Sequence, residues 1–197
     1  MMVLALIIIP VLIIIPIAIK LTSKGPAVFT QDRVGKDGRV FKIYKFRTML
    51  IPEESFDKDG NPLENYARIT KVGRFLRKTS LDELMQLFNI LNGTMSFVGP
   101  RPTLPYQAKS YNDEQKRRFE MRPGVTGLAQ VSGRNNLTWT EKIAYDVEYI
   151  DNFSLWEDIK ILFRTVAVVL KKDDIEFTKE DTLTKKENRT AENSEAV

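Results

Sequence analysis

The 197-residue chain contains no cysteine and no histidine. The first absence excludes disulfides, thiol nucleophiles and thiolate zinc sites. The second excludes imidazole metal sites and every triad that runs through a histidine. Any chemistry therefore falls to Asp, Glu, Lys, Arg, Tyr, Ser or Thr, or to a bound metal. Oxygen ligands alone favour a hard ion such as Mg²⁺ over zinc. A chain without cysteine fits a reducing compartment. Internal repeats are lacking as well. The length suffices for one domain with a real core.

What is present is charge, unevenly spread. The net charge is +4, but residues 171–197 hold six basic and eight acidic groups, a balance of −2, which leaves +6 on the body before them. Between Lys20 and Arg47 there are eight Lys/Arg and two Asp. Such a body attracts phosphates, whether of nucleic acid, lipid headgroups or nucleotides.

The chain opens on "MMVLALIIIPVLIIIPIAIK", in which Val3 to Ile19 is an uncharged apolar run of 17 residues. A straight helix of that length reaches about 26 Å, short of a hydrocarbon core of about 30 Å. Pro10 and Pro16 each remove a backbone donor and kink or break a helix. No basic stretch precedes the run, and no small-residue cleavage site follows it, so it does not read as a cleaved signal. The basic residues just after it place the following domain on the cytoplasmic side. Residues 1–22 are accordingly expected to form a broken hydrophobic membrane segment, which either spans or enters and leaves on the same face, the second path fitting a break at Pro10. Residues 23–170 form the cytosolic or interfacial domain, and residues 171–197 form a charged, disordered tail.

In "AVFTQDRVGKDGRVFKIYKFRTM" apolar and aromatic residues flank Asp37-Gly38, which predicts a β-hairpin with strands near 27–33 and 39–47. Residues 50–66 read as a polar loop. Residues 67–78 ("ARITKVGRFLRK") hold five basic groups and no acid. Then comes "TSLDELMQLFNILNG". Its apolar residues recur at helical spacing, and Asn92-Gly93 ends the run. Ser80-x-x-Glu83 fits a capping box, and acids suit the first turn of a helix. On this ground Asp82 and Glu83 are helix starters. Two proline-framed loops follow, "MSFVGPRPTLP" and "MRPGVTGLAQVSGR". Each carries arginine on a restricted backbone, as an anion pocket requires. Residues 138–151 and 153–170 are predicted helices. The second is strongly apolar, with Trp156 near its start and Lys171-Lys172 at its end. It suits either a membrane interface or the domain core.

Four stretches in order, "FTQDRVGKDGRVFKIYKFRTM", "LRKTSLDELMQLFNILNGTMSFVGPRP", "RPGVTGLAQVSGRN" and "YDVEYI", resemble the bacterial sugar transferases. The closer resemblance is to the small monotopic polyprenyl-phosphate phosphoglycosyltransferases, and it runs from about residue 3 to 170. It implies an α+β fold, mainly helical with a small β-hairpin, a re-entrant membrane helix and interfacial amphipathic helices. It implies transfer of a sugar 1-phosphate from a UDP-sugar to polyprenyl (undecaprenyl) phosphate, with UMP released, as the first membrane step of bacterial glycan assembly. Asp82 is then the covalent nucleophile and Glu83 a ligand of Mg²⁺. The implied location is the cytoplasmic face of the inner membrane, with lipid as a partner and no nucleic acid. The resemblance names neither the sugar nor an oligomeric state. Chains of this kind carry a short basic stretch and an Asp ahead of the apolar run, whereas this one opens at Met1-Met2. That departure implies a start set downstream or a shortened segment.

The residues allow this chemistry. A carboxylate is a competent nucleophile when leaving-group charge is neutralised, and a helix start favours anions. Lys45, Arg77 and Arg101 are the candidates for neutralising phosphate. Gln130 and Arg134 are candidates for the nucleotide or phosphates, and Asp146 for orienting one of these groups or the metal. Two readings compete. One is a non-catalytic, membrane-tethered basic module that binds nucleic acid or anionic lipid, with Asp82 and Glu83 dispensable. The other is a hydrolase that passes the phosphosugar to water.

Overall fold

The computed structural model describes residues 2–64, 66–133 and 137–170, with side chains from residue 9 onward. Arg134 and the expected tail at 171–197 lie outside the described residues.

Helix α1 (Met2–Thr22) runs through Pro10 and Pro16 without interruption. The expected break at Pro10 is therefore not displayed. A proline bends a helix by removing one hydrogen bond and crowding the preceding turn, and the apolar residues on both sides can keep the helical path. One face of α1 is core: Ile15 and Ile19 are buried with Phe46 and Leu76, and Val11 and Leu12 pack beside them. The other face exposes Ile9, Ile13, Ile14, Ile17 and Leu21. Among the described residues no helix is long and apolar enough to cross a membrane. The end of α1 is capped from a distance. The buried Arg47 guanidinium donates to the carbonyls of Ser23 and Lys24 and to the Ser23 hydroxyl, where the negative end of the helix dipole favours a cation.

Strands β1 (Val28–Val34) and β2 (Val40–Phe46) form the expected antiparallel hairpin, in register from Val28 opposite Phe46 to Val34 opposite Val40. Asp37 and Gly38 supply the left-handed turn, with φ of 57° and 72°. A two-stranded sheet leaves its outer edges unpaired. Asn89, fully buried, covers that of β2: its side chain accepts from the Tyr44 N–H and donates to the Lys42 carbonyl. Asn89 lies on α3 (Gln86–Leu91), so the bond fixes α3 and the turn before it against β2. Between β2 and α3 in the sequence lies α2 (Lys71–Lys78), capped by the Thr70 hydroxyl. Its Gly73 meets the Thr48 backbone so closely that a Cβ would fall 2.0 Å from the Thr48 carbonyl oxygen.

The two proline-framed stretches are not only loops. β3 (Ser96–Val98) and β4 (Gly124–Thr126) pair in parallel, Ser96 with Gly124 and Val98 with Thr126. The pairing depends on glycine: a Cβ on Gly124 would sit 2.2 Å from the Gly99 nitrogen, and one on Gly127 would sit 2.2 Å from the Gly99 oxygen. Three-residue strands leave no alternation to read, which is why only the hairpin was legible. Short helices α4 (Pro105–Lys109) and α5 (Asp113–Lys116) lie between β3 and β4, and α6 (Leu128–Ser132) follows. Helices α7 (Trp139–Asp151) and α8 (Leu155–Leu170) close the domain. Val98, Leu128, Tyr149 and the fully buried Ile161 join β3, α6, α7 and α8 in one core. The protein is mainly helical with two small sheets. α8 serves the core with one face and leaves large apolar side chains exposed on the other. It gives Ile161 to the core and bonds the Thr165 hydroxyl to Thr126, while Leu155, Trp156, Phe163, Val166 and Leu170 face outward.

Candidate active site

The acidic pair does not start an α-helix. Residues Leu81–Met85 form a 3-10 helix that leads into α3, and Ser80 before it is left-handed, with φ 56° and no side-chain cap bond. The expected capping box is therefore absent. Its Glu is used elsewhere, and a left-handed Ser80 does not have the extended backbone of an N-cap. A non-glycine residue in that region is strained and marks an over-determined turn. In a 3-10 helix consecutive side chains diverge by about 120° rather than about 100°, so Asp82 and Glu83 point apart.

Glu83 points at cations. Its Oε1 accepts from Lys45 Nζ at 2.6 Å and lies 3.9 Å from an Arg101 nitrogen. Lys45 comes from β2 and Arg101 from the strap after β3. Burial by itself pushes the Glu83 pKa up. Lys45, Arg101 and hydrogen bonds from Lys45 and Gln86 outweigh it and hold the carboxyl below its ordinary value. Asp82 goes the other way. Burial and the adjacent Glu83 raise its pKa against the pull of Lys45 and Arg77. Arg77, on α2, donates to the Thr48 hydroxyl at 2.8 Å. Five expected residues are thus brought together: Lys45, Arg77, Asp82, Glu83 and Arg101.

Two were less visible. Arg33 is part-buried beside the strap and donates to the Pro102 carbonyl at 3.4 Å. Burial first, then the nearby Arg101, lower its pKa to about 10, so it stays a cation at neutral pH. The signal was in the hairpin register. Arg33 faces Phe41 as Phe29 faces Lys45, and alternate residues share a sheet face. Gln86 follows Glu83 by three residues, the spacing at which helical side chains meet.

Gln130 and Asp146 are placed differently. Gln130, on α6, buries both amide atoms without a hydrogen-bond partner, and its oxygen lies against Gly127. Asp146, on α7, pairs with Arg118 in the interior, and Arg118 in turn donates to the Arg101 carbonyl at 3.0 Å. Burial raises the Asp146 pKa to about 6 against the opposing charge of Arg118. Asp146 thus faces the strap that carries Arg101.

A carboxylate ringed by cations beside a second carboxylate of raised pKa suits attack on a phosphoryl group. The comparison with known proteins agrees with that chemistry: the profile described as bacterial sugar transferase matches residues 1–172. The chain belongs to the bacterial sugar transferase family. It is similar to the galactosyl transferase CpsE of Streptococcus agalactiae, at 49% identity over 74% of this chain and 35% of that protein. It is similar to EpsL of Bacillus subtilis, an uncharacterized sugar transferase, at 46% identity over 85% of this chain and 82% of that one. It is also similar to the undecaprenyl-phosphate galactose phosphotransferase of Salmonella typhimurium, at 45% identity over 76% of this chain and 34% of that protein. The chain therefore spans about a third of the length of CpsE and of the Salmonella protein, and most of the length of EpsL. Within the family match lie all the site residues described above.

Proposed function

We propose that this sugar transferase moves a sugar 1-phosphate from a UDP-sugar to undecaprenyl phosphate through an intermediate on Asp82. A carboxylate oxygen of Asp82 attacks the sugar-proximal phosphorus. The bond from that phosphorus to the bridging oxygen breaks, and UMP leaves with the oxygen. A lipid phosphate oxygen then attacks the same phosphorus, the bond to Asp82 breaks, and polyprenyl-diphosphate-sugar leaves with the carboxylate restored. Lys45, Arg33, Arg77 and Arg101 offset phosphate charge, which is most of what catalysis of phosphoryl transfer demands.

The observation that carries this reading is the placement of Asp82 and Glu83 on a strained turn amid these cations. The names of relatives support the acceptor and the sugar phosphate. One is the Salmonella phosphotransferase, and another is the UDP-glucose:undecaprenyl-phosphate glucose-1-phosphate transferase of Klebsiella pneumoniae. Among the described residues no three acids cluster as a metal site. One carboxylate suffices for Mg²⁺, which takes one or two protein carboxylates together with substrate phosphates. Glu83 would hold the ion, and the ion would neutralise charge on the diphosphate.

The outward apolar faces of α1 and α8 support seating on a membrane. In this reading α1 enters and leaves from the cytoplasmic face, with Pro10 at its bend, and α8 lies in the interface. The deciding experiment is intact-mass analysis after incubation with UDP-glucose or UDP-galactose and Mg²⁺, without lipid. The expected result is a phosphosugar adduct on a peptide containing Asp82. UMP release with no adduct would mean direct displacement. No UMP release with any UDP-sugar would favour a non-catalytic basic module.

A further inference from the structure

The strap Gly99-Pro100-Arg101-Pro102-Thr103 is pinned at every carbonyl from the first proline onward. The Gly124 N–H donates to Pro100 at 2.9 Å, Arg118 to Arg101 at 3.0 Å, Arg33 to Pro102 at 3.4 Å, and the Val34 N–H to Thr103 at 2.9 Å. The Arg101 position matters most. A residue before proline is confined to extended backbone, so the remaining freedom is the tilt of the Arg101–Pro102 peptide. The Arg101 carbonyl reports that tilt, and Arg118 holds it from inside the domain.

Arg118 itself is immobilised. It is 3% exposed. It pairs with Asp146 and donates to the Tyr111 hydroxyl at 2.9 Å. Tyr111 is bonded at 2.7 Å to the hydroxyl of Thr103, the last residue of the strap. The guanidinium also lies over the Tyr111 and Trp139 rings, at 5.5 and 5.6 Å. A planar fork held by a carboxylate, a hydroxyl and two rings has one orientation left, and that orientation points at Arg101.

We propose that Arg118 is a positioning residue, which sets the Arg101 peptide and thereby aims the Arg101 guanidinium at Glu83 and the bound phosphate. The proposal rests on the reading that Arg101 serves phosphate transfer. A lysine at position 118 keeps a charge for Asp146 but lacks the fork to reach Tyr111 and Arg101 as well.

The test is a double-mutant cycle on the full chain, with undecaprenyl phosphate and UDP-glucose or UDP-galactose, read as UMP release. UDP affinity by calorimetry is the second readout, and melting curves check the fold. Arg118→Lys is expected to lower kcat/KM about tenfold in the wild-type background and less than about twofold in the Arg101→Ala background, the signature of two residues acting as a unit. UDP affinity should follow the same pattern. Equal losses in both backgrounds would make Arg118 a support of the fold alone and overturn the proposal, as would an unchanged rate. An Arg101→Ala protein with full activity and full UDP affinity would instead remove the reading on which the proposal stands. Should Arg118→Lys fail to fold, Tyr111→Phe, which deletes the hydroxyl bonded to both Arg118 and Thr103, carries the same cycle, with Thr103→Val as the control for the strap's own bond. The loss from Tyr111→Phe must likewise vanish without Arg101.

Discussion

Glu83 and Asp146 are both carboxylates held by cations, and they titrate in opposite directions. Glu83 is about one-fifth exposed, and two cations with Gln86 reach it, so its pKa falls. Asp146 is 1% exposed and leans on one buried guanidinium, so desolvation wins and its pKa rises to about 6. The difference separates two tasks. The Glu83 pair is open enough to exchange partners with an incoming diphosphate or metal. The Asp146 pair is closed and can only hold geometry. Mutations should therefore divide cleanly between lost chemistry and lost packing.

The largest effect is expected from Asp82→Asn. The amide keeps the shape of the turn but removes the nucleophile, so UMP release should fall by about 10³-fold or more. The melting curve should stay close to wild type. Substantial turnover in this variant would move the nucleophile elsewhere. Next comes Lys45→Met. It strips the closest cation from Glu83 and should lower UMP release about 100-fold. Arg101 and Gln86 remain, and the pair is partly solvated, so stability should change by only about 1 kcal/mol. A large stability loss with activity retained would reverse the comparison.

Legibility in the sequence follows the same division. Asp82 and Glu83 read locally as helix starters, and only the family resemblance made them catalytic candidates; the basic residues around them and an arginine between prolines hinted at Lys45, Arg77 and Arg101 as anion binders. Asp37-Gly38 announces the hairpin by its turn chemistry. Arg118 does not. It stands next to Arg117 in "NDEQKRRFE", which reads as a solvated charged turn. Arg117 is indeed outside, paired with Asp151, Glu114 and Glu120, while its neighbour is sealed inside. What distinguishes them is Asp146, 28 residues further on, and no local pattern carries a contact of that range. The parallel pairing of β3 with β4 escapes for the same reason: two three-residue strands meet across a long connection, packed on glycine. The capping box at Ser80 was legible and misleading. A local motif lost to a stronger long-range ion pair with Lys45.

The buried pair gives the next contrast. Arg118→Met leaves Asp146 without its cation and the Arg101 carbonyl without its donor. Removing one partner of a buried ion pair destabilises by about 3 kcal/mol or more. Urea unfolding of Arg118→Met at pH 7 should show that deficit, several times the change caused by Lys45→Met. Equal deficits would mean the two pairs are energetically alike despite their burial.

The smallest and most specific effect is on pH. Burial lifts the folded pKa of Asp146 to about 6, well above the ordinary carboxyl value. A raised carboxyl contributes stability that is fully present below the unfolded pKa and is lost as pH rises through the folded value. In the wild type that loss is complete a little above pH 6. Arg118 is the charge that opposes the rise. Without it the folded pKa of Asp146 moves higher, and the loss continues to higher pH. The stability gap between wild type and Arg118→Met should therefore be wider at pH 7 than at pH 5, where Asp146 is protonated in the variant and half or more protonated in the wild type. Other titrating groups are common to both proteins and cancel in the difference. A gap that is constant with pH would mean Arg118 does not control Asp146. A gap that narrows toward pH 7 would mean that removing Arg118 lowers the folded pKa of Asp146, as water entering the interior in its place would do.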